Sequence, residues 1–220
     1  RPHSEKNRKQ HRAFLEAFAD DPQGRAEALE FFYELPLWLD LPEFRVVHAC
    51  WHQTYVNLLS KITVNARLTE SLLVRASSKG TTEYKAIESL LKGHEVELPS
   101  GISFTDKDAN LRTAMRVRWW RQDAQNLGDL ALPFGIDIGE ASSFPVPKDM
   151  PIYDRFEKPC FIGHYWLDGI PSPLSDNVAC LDYSVAKKGK LVAYRWDGDA
   201  RLSGENFTYS EIESGQRSEK

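Results

Sequence analysis

Apolar residues recur every three to four positions in two long stretches of the chain, and this spacing predicts helices. The first stretch, 11–33, is interrupted at 20–24 by Asp-Asp-Pro-Gln-Gly, so we expect two amphipathic helices joined by a turn. The second stretch, 55–98, is predicted to be mostly helical. Four of the twelve prolines lie in 132–151, which we therefore expect to be a connecting loop.

Short apolar runs bounded by turn residues predict strands on both sides of this helical part. The runs 35–40 and 44–49 flank the turn Leu41-Pro42-Glu43 and predict a hairpin. Three later runs predict a small sheet that closes the fold, namely 158–163, 177–183 and 190–196. Helices and strands in this order predict an α/β (α+β) fold with mixed sheets.

The composition is that of a globular protein without an overall basic field. Of the 220 residues 41% are hydrophobic, which is enough for a substantial core. The formal charge of -4 argues against a sequence-independent grip on nucleic acid, and we expect no sequence-specific nucleic acid partner. No apolar stretch reaches the roughly 20 residues that cross a bilayer, and no signal peptide pattern occurs, so we expect a cytoplasmic protein without a membrane partner.

The cysteines are too few and too scattered for a disulfide framework. Cys50, Cys160 and Cys180 all lie in apolar runs, and we expect them to be buried, reduced thiols. The alternative is a Cys50 nucleophile served by His48 or His52, although no third group that would orient the histidine is evident.

Two apolar runs that are predicted to be strands end in a histidine. His48 closes the run Val46-Val47, and His164 follows Phe161-Ile162-Gly163. Ligands in layered α/β folds gather where such strands end, and imidazole suits zinc, iron or manganese. Two histidines cannot complete a site of four or more ligands. The alternative is that they cap their strands and bond to the backbone.

Five short runs occur in the same order as in one known family. They are Phe31-Phe32-Tyr33-Glu34-Leu35-Pro36-Leu37, Val46-Val47-His48-Ala49, Phe161-Ile162-Gly163-His164, Ala179-Cys180-Leu181-Asp182 and Gly189-Lys190-Leu191-Val192-Ala193. Together they resemble the C-terminal half of calcineurin-like metallophosphoesterases, of the serine/threonine protein phosphatase and symmetrical diadenosine tetraphosphatase type. In that type an F-x-x-L-P run precedes a strand that ends in V-H-A/G-G, and a G-H strand and a glycine-rich hairpin follow.

The resemblance implies a partial four-layer metallophosphoesterase fold, with a mixed β-sheet and a helical cap insert. Residues 1–54 and 152–212 would form the C-terminal half of the domain, 55–151 a mostly helical cap and 213–220 a tail. The family motifs G-D-x-H-G, G-D-x-x-D-R-G and G-N-H-E lie upstream in the family and do not occur in this chain. Since the chain also opens at Arg1 without a methionine, we expect the N-terminal half of the domain to be missing from it.

In that family two divalent metal ions activate a bridging water for attack on phosphorus. The resemblance implies that His48 and His164 bind the same ion, and that this chain holds none of the catalytic residues. We expect manganese, with iron or zinc as alternatives. Asp182, at the end of a predicted strand, is expected to be structural or to orient His164.

A basic and aromatic segment, 111–121, is a candidate to bind a phosphorylated substrate. Arg112 and Arg116 are the better candidates for binding phosphate oxygens, and Lys107 is a weaker one. One of the tryptophans of Trp119-Trp120 would then stack on a base or ring. The alternative is a strand or helix with a solvated basic face.

The function that the resemblance implies is metal-dependent hydrolysis of a phosphate ester or anhydride, carried by a phosphoprotein, a dinucleotide or a small phosphate. The alternative is a non-catalytic fragment or degenerate paralogue that binds a phosphorylated ligand or a protein partner. If the chain exists only as these 220 residues, we expect no phosphatase turnover and weak metal binding.

Overall fold

The structure is a computed structural model that describes residues 3–106, 110–132 and 136–211, apart from the side chain of Lys6. It confirms the prediction of an α+β fold, with helices and several small sheets. Within these ranges the α-helices are α1 (Glu5–Ala17), α2 (Pro22–Glu34), α3 (Gln53–Ser60), α4 (Glu70–Ser77), α5 (Thr82–Lys92) and α6 (Leu127–Leu130).

The strands are short and belong to four sheets. They are β1 (Trp38–Asp40), β2 (Arg45–Val47), β3 (Glu95–Glu97), β4 (Phe104–Thr105), β5 (Leu111–Arg112), β6 (Ala114–Val117), β7 (Ala131–Leu132), β8 (Cys160–Ile162), β9 (Val178–Cys180), β10 (Asp182–Tyr183), β11 (Lys190–Tyr194) and β12 (Phe207–Glu211). The sheet orders are β1-β2-β8-β9, β10-β11-β12, β3-β6-β7 and β4-β5. The predicted tail, 213–220, lies outside the described residues.

The chain divides into two compact units. The first comprises Arg1–Leu37 and Thr54–Glu88, and the second comprises Trp38–Gln53 and Ser89–Lys220. The division into a phosphoesterase half and a cap, which rests on the family resemblance, stays a prediction. No helix in the described ranges has the length and hydrophobicity that a membrane span requires.

The first unit is helical, and its helix boundaries follow local capping signals. The predicted break separates α1 from α2, where the Asp21 side chain accepts a hydrogen bond from the Gly24 N–H and Pro22 occupies the first turn. Thr69 caps α4 in the same way by accepting from the Leu72 N–H. Leu59 and Leu72 are fully buried, whereas α2 has no buried residue.

The central sheet of the second unit positions the candidate site. β1 and β2 form the predicted antiparallel hairpin, while β2, β8 and β9 are parallel neighbours. All residues of β8 and β9 are buried, as expected for short apolar strands that are covered on both faces. Parallel strands end at the same edge of a sheet, so the residues that follow β2, β8 and β9 converge.

The later strands differ from the single closing sheet that the sequence predicted. The runs that contain β8 and β9 join the β1–β2 hairpin, and β10 continues from β9 into a separate antiparallel sheet with β11 and β12. Strand β12, which pairs along five residues with β11, was not predicted from the sequence. β4 and β5 pair antiparallel, with Phe104 opposite Arg112 and Thr105 opposite Leu111.

Candidate functional site

The two histidines that were predicted as metal ligands lie together at the carboxyl edge of the central sheet. His48 directly follows β2 and is exposed, while His164 lies two residues after β8 and is partly buried. Their ring centroids are 5.3 Å apart and the ring planes cross at 61°. The Gly163 N–H donates to the His48 carbonyl oxygen at 2.9 Å and so joins the two strand ends.

His164 is held in an uncommon backbone conformation and as a neutral imidazole. Its φ of 70° lies in the left-handed region, where non-glycine residues are strained and which is often used at functional sites. Burial lowers the pKa of His164 to about 4, helped by the positive charge of Arg116 and by His48, and opposed by Asp182. At neutral pH the ring therefore has a nitrogen lone pair available to an electrophile.

The His48–His164 pair fits two ligands of one metal ion. Two imidazoles bound at about 2.1 Å and about 110° to one ion would have ring centroids about 5 Å apart, close to the observed separation of 5.3 Å. In the described ranges no three residues of the His, Cys, Asp or Glu types form a group that could hold a metal ion. These residues therefore account for a pair of ligands and not for a complete coordination sphere.

Arg116 lies on β6, and its charge acts on the same edge of the sheet. Its positive charge is the strongest electrostatic contribution to the lowered pKa of His164, after burial. Its Nε is buried and has no hydrogen-bond acceptor among the described residues. Gly93, with a φ of +90°, allows this packing, because a Cβ there would lie 2.9 Å from the Arg116 Cδ. Arg116 therefore adds a positive charge that acts on His164.

The other predicted substrate-binding residues are placed differently. Arg112, on β5, donates from Nη2 to Glu95 Oε1 at 2.9 Å, and the Arg116 Nη2 lies 3.8 Å from the same oxygen. Glu95 therefore balances part of the positive charge of both arginines. Lys107 lies outside the described residues.

The expectation that a tryptophan of 119–120 stacks on a ligand is wrong, because both side chains are buried. Trp119 is 0% and Trp120 is 4% exposed. Trp119 Nε1 instead donates to the Ala49 carbonyl oxygen at 3.1 Å, and the Tyr165 hydroxyl donates to the same oxygen at 3.0 Å. These hydrogen bonds fix Ala49 and Tyr165, the residues that follow His48 and His164. The sequence contained no periodic signal for these hydrogen bonds.

Asp182 follows β9 and completes the group of strand ends. Its Oδ1 accepts from the Ser184 N–H at 3.1 Å, and its carbonyl oxygen accepts from the Leu167 N–H. Its negative charge raises the pKa of His164 against the dominant effect of burial. Asp182 thus holds the first residue of the turn after β10 and also acts electrostatically on His164.

A second histidine pair was not predicted from the sequence. The ring centroids of His52 and His94 are 5.2 Å apart, and His94 Nδ1 lies 3.4 Å from the Ser89 hydroxyl oxygen. Burial lowers the pKa of His52 to about 4, with a further contribution from His94 and opposition from Asp149. Burial also lowers the pKa of His94, while Asp149 opposes the shift.

The cysteines behave as the sequence predicted. Cys50, Cys160 and Cys180 are free and buried. Burial raises the pKa of the Cys50 thiol, so the thiol stays protonated at neutral pH. This state does not support the alternative of a Cys50 nucleophile.

The chain was compared with known proteins. No protein-family model matches it, and no curated protein or solved structure matches it either.

Proposed function

We propose that this chain is the C-terminal part of a calcineurin-like metallophosphoesterase that hydrolyses a phosphate ester or anhydride. The observation that carries the proposal is the histidine pair, because His48 and His164 follow two neighbouring parallel strands with ring centroids 5.3 Å apart. The family motifs in the sequence support it further, and they occur in the segments that form β2, β8, β9 and β11.

The same proposal includes a four-layer fold and a cytoplasmic location. The β1-β2-β8-β9 sheet would be the second sheet of a four-layer fold, and the first sheet would come from an N-terminal half outside these 220 residues. That half would supply the remaining metal ligands. We place the protein in the cytoplasm, where it meets a phosphorylated substrate.

The residues of this chain would hold a metal ion and a phosphoryl group side by side. His48 and His164 would bind one of two divalent ions, manganese in the first place, with iron or zinc as alternatives. Such ions supply an activated water and neutralise the phosphoryl oxygens. Arg116 would bind a phosphoryl oxygen through its guanidinium, since Arg116 acts directly on the charge state of His164. Tyr165 and Trp119 would keep the two strand ends in register through the Ala49 carbonyl.

A phosphatase assay on the full-length gene product tests the proposal. With p-nitrophenyl phosphate and Mn²⁺ we expect metal-dependent turnover, and His48→Asn or His164→Asn should lower kcat by about 100-fold or more. His11→Asn is the matched control, because His11 is exposed on α1. Metal-dependent turnover that is unchanged in both site variants would refute the proposal.

The positive charge around His164 favours a second candidate, a non-catalytic protein that binds a phosphorylated ligand. Arg116 and Lys92 both disfavour the protonated form of His164, which places two cations near the pair. Under this candidate, phosphate would bind without added metal, Arg116→Ala would weaken that binding, and no turnover would occur with any divalent ion. Metal-dependent turnover distinguishes the two candidates.

A further inference from the structure

A basic cleft is lined by the loop that follows His164 and by the turn that follows β10. Its volume is about 380 Å³, within the range of small-molecule sites. One wall begins at Leu167, three residues after His164, and the other includes Ser184, two residues after Asp182. One side of the cleft is thus a continuation of the loop that carries His164.

Three lysines line this cleft, two of them on the turn between β10 and β11 and the third, Lys190, at the start of β11. The positive charge of Lys190 is already balanced, because its Nζ donates to the Gly169 carbonyl oxygen at 2.7 Å and lies 3.4 Å from Glu211 Oε1. Lys187 and Lys188 are exposed. The Lys187 Nζ lies 3.7 Å from the centre of the Trp166 ring, and the Lys188 side chain makes no ion pair or hydrogen bond within the described ranges.

The backbone fixes these lysines in a tight turn. Ser184 and Lys188 both have positive φ, 62° and 67°, and they flank a single 3-10 turn, Val185–Lys187. Gly189 is required beside them, because a Cβ there would lie against the Tyr183 carbonyl oxygen. Non-glycine residues in the left-handed region are strained, and such strain clusters at functional sites, ligand clamps among them.

The acidic side chains in the cleft do not cancel this charge. Glu211 is engaged by Lys190, which leaves Asp168 as the one other carboxylate in the lining. Two lysines therefore face one exposed aspartate, and the cleft carries a net positive charge. Lysine ammonium groups bind phosphate as point charges.

We propose that this cleft is a second anion subsite that binds a phosphate group distal to the one at the histidine pair. The substrate class would then be a ligand with two or more phosphate groups, in which Lys187 and Lys188 hold the distal one. This assignment rests on the proposed function for its role in catalysis, whereas anion binding by the cleft stands without it.

Titration of the metal-free chain with tripolyphosphate at low salt tests the subsite, by calorimetry and by tryptophan fluorescence. Trp166 is 51% exposed and lies against Lys187, so we expect binding to change its emission, and Trp166→Phe should remove that change. The double variant Lys187→Gln and Lys188→Gln should weaken binding about tenfold, since two ammonium charges are lost. Lys85→Gln is the single-charge control, on the exposed side of α5 and outside the cleft.

A second titration, with ATP, distinguishes a phosphate chain from a nucleotide as the ligand of the cleft. Equal affinity for ATP and tripolyphosphate assigns the site to the phosphate chain alone, and tighter binding of ATP assigns it to a nucleotide. Equal affinity of wild type and the double variant, or equal loss in Lys85→Gln, would overturn the subsite.

The same titration separates the subsite from the proposed function. Lysine-dependent binding in a protein without metal-dependent turnover would therefore refute the phosphatase and retain the anion site.

Discussion

Among the described glycines of the second unit with positive φ, Gly93 is the one at which substitution by alanine should disturb the candidate site most. The φ of Gly93 is +90°, and a Cβ would lie 2.9 Å from the Arg116 Cδ and 3.0 Å from the Tyr165 hydroxyl oxygen. Gly101 has a φ of +88° and nothing within 4 Å of its Cβ position. Both substitutions therefore incur the same backbone strain, about 1–2 kcal/mol, and only the first adds a clash.

The added cost can be estimated from the two contacts. Displacing Tyr165 breaks the hydrogen bond of its hydroxyl to the Ala49 carbonyl oxygen, which contributes about 1 kcal/mol. Moving the Arg116 side chain away from its rotamer costs about 1 kcal/mol more. Gly93→Ala should therefore lower the free energy of unfolding by about 2 kcal/mol more than Gly101→Ala.

Urea unfolding of both variants and wild type measures this difference. Gly93 and Gly101 belong to the same compact unit, so the comparison concerns the same unfolding transition. Trp119 is buried and bonded to the Ala49 carbonyl oxygen, and its fluorescence reports on the packing at the site. Equal destabilisation of the two variants, within about 0.5 kcal/mol, would refute the reasoning about the Gly93 contacts.

Two further predictions concern groups outside the histidine pair. The pKa of His52 is about 4 in the folded chain and 6.5 ordinarily, so the unfolded chain binds the proton first as the pH falls. Between pH 7 and pH 5 the free energy of unfolding of wild type should therefore fall by about 2 kcal/mol more than that of His52→Gln. Urea unfolding at each pH measures both values, and equal falls in the two proteins would contradict the prediction. Arg45→Met should cost about 3 kcal/mol, because Arg45 Nη1 donates to Glu157 Oε2 at 2.6 Å and to Tyr153 Oη at 3.0 Å, with its side chain 10% exposed. Glu157→Gln should cost under about 1 kcal/mol, because Glu157 is 45% exposed; equal costs in thermal unfolding would contradict the role of burial.

The local pattern of the sequence predicted helices α1 to α5 and the first hairpin, whereas α1 begins at Glu5, before the predicted stretch, and α6 was not predicted. The Asp21-Pro22 signal and the apolar spacing on both sides of it predicted α1 and α2, and the turn at 41–43 predicted the β1–β2 pair. These elements are specified by residues close together in the chain, where periodicity and capping act directly.

Strand pairings between distant segments could not be predicted from the local sequence pattern. β8 and β9 join β2 across more than a hundred residues, and no periodic signal states which strands are neighbours. β12 was missed because its sequence, Phe-Thr-Tyr-Ser-Glu, is mostly exposed and lacks the apolar run of a buried strand. The single sheet predicted from 158–196 was therefore wrong in its connections, although its strands exist.

In the candidate site, too, local features were predictable from the sequence and contacts between distant segments were not. The position of each histidine at a strand end was visible in the sequence, and the structure brings His48 and His164 together. The contacts of Arg116 and the buried Trp119 depend on side chains that meet only after folding. Their charge and aromatic character suggested ligand contact, whereas their burial and hydrogen bonds decide their actual environment.

The most direct test of the account is an anomalous diffraction map from crystals of the full-length gene product grown with Zn²⁺. We predict one peak that lies about 2.1 Å from a ring nitrogen of His48 and from a ring nitrogen of His164. A map without a peak at this pair, or with zinc on only one of the two rings, would contradict the claim that they are ligands of one ion.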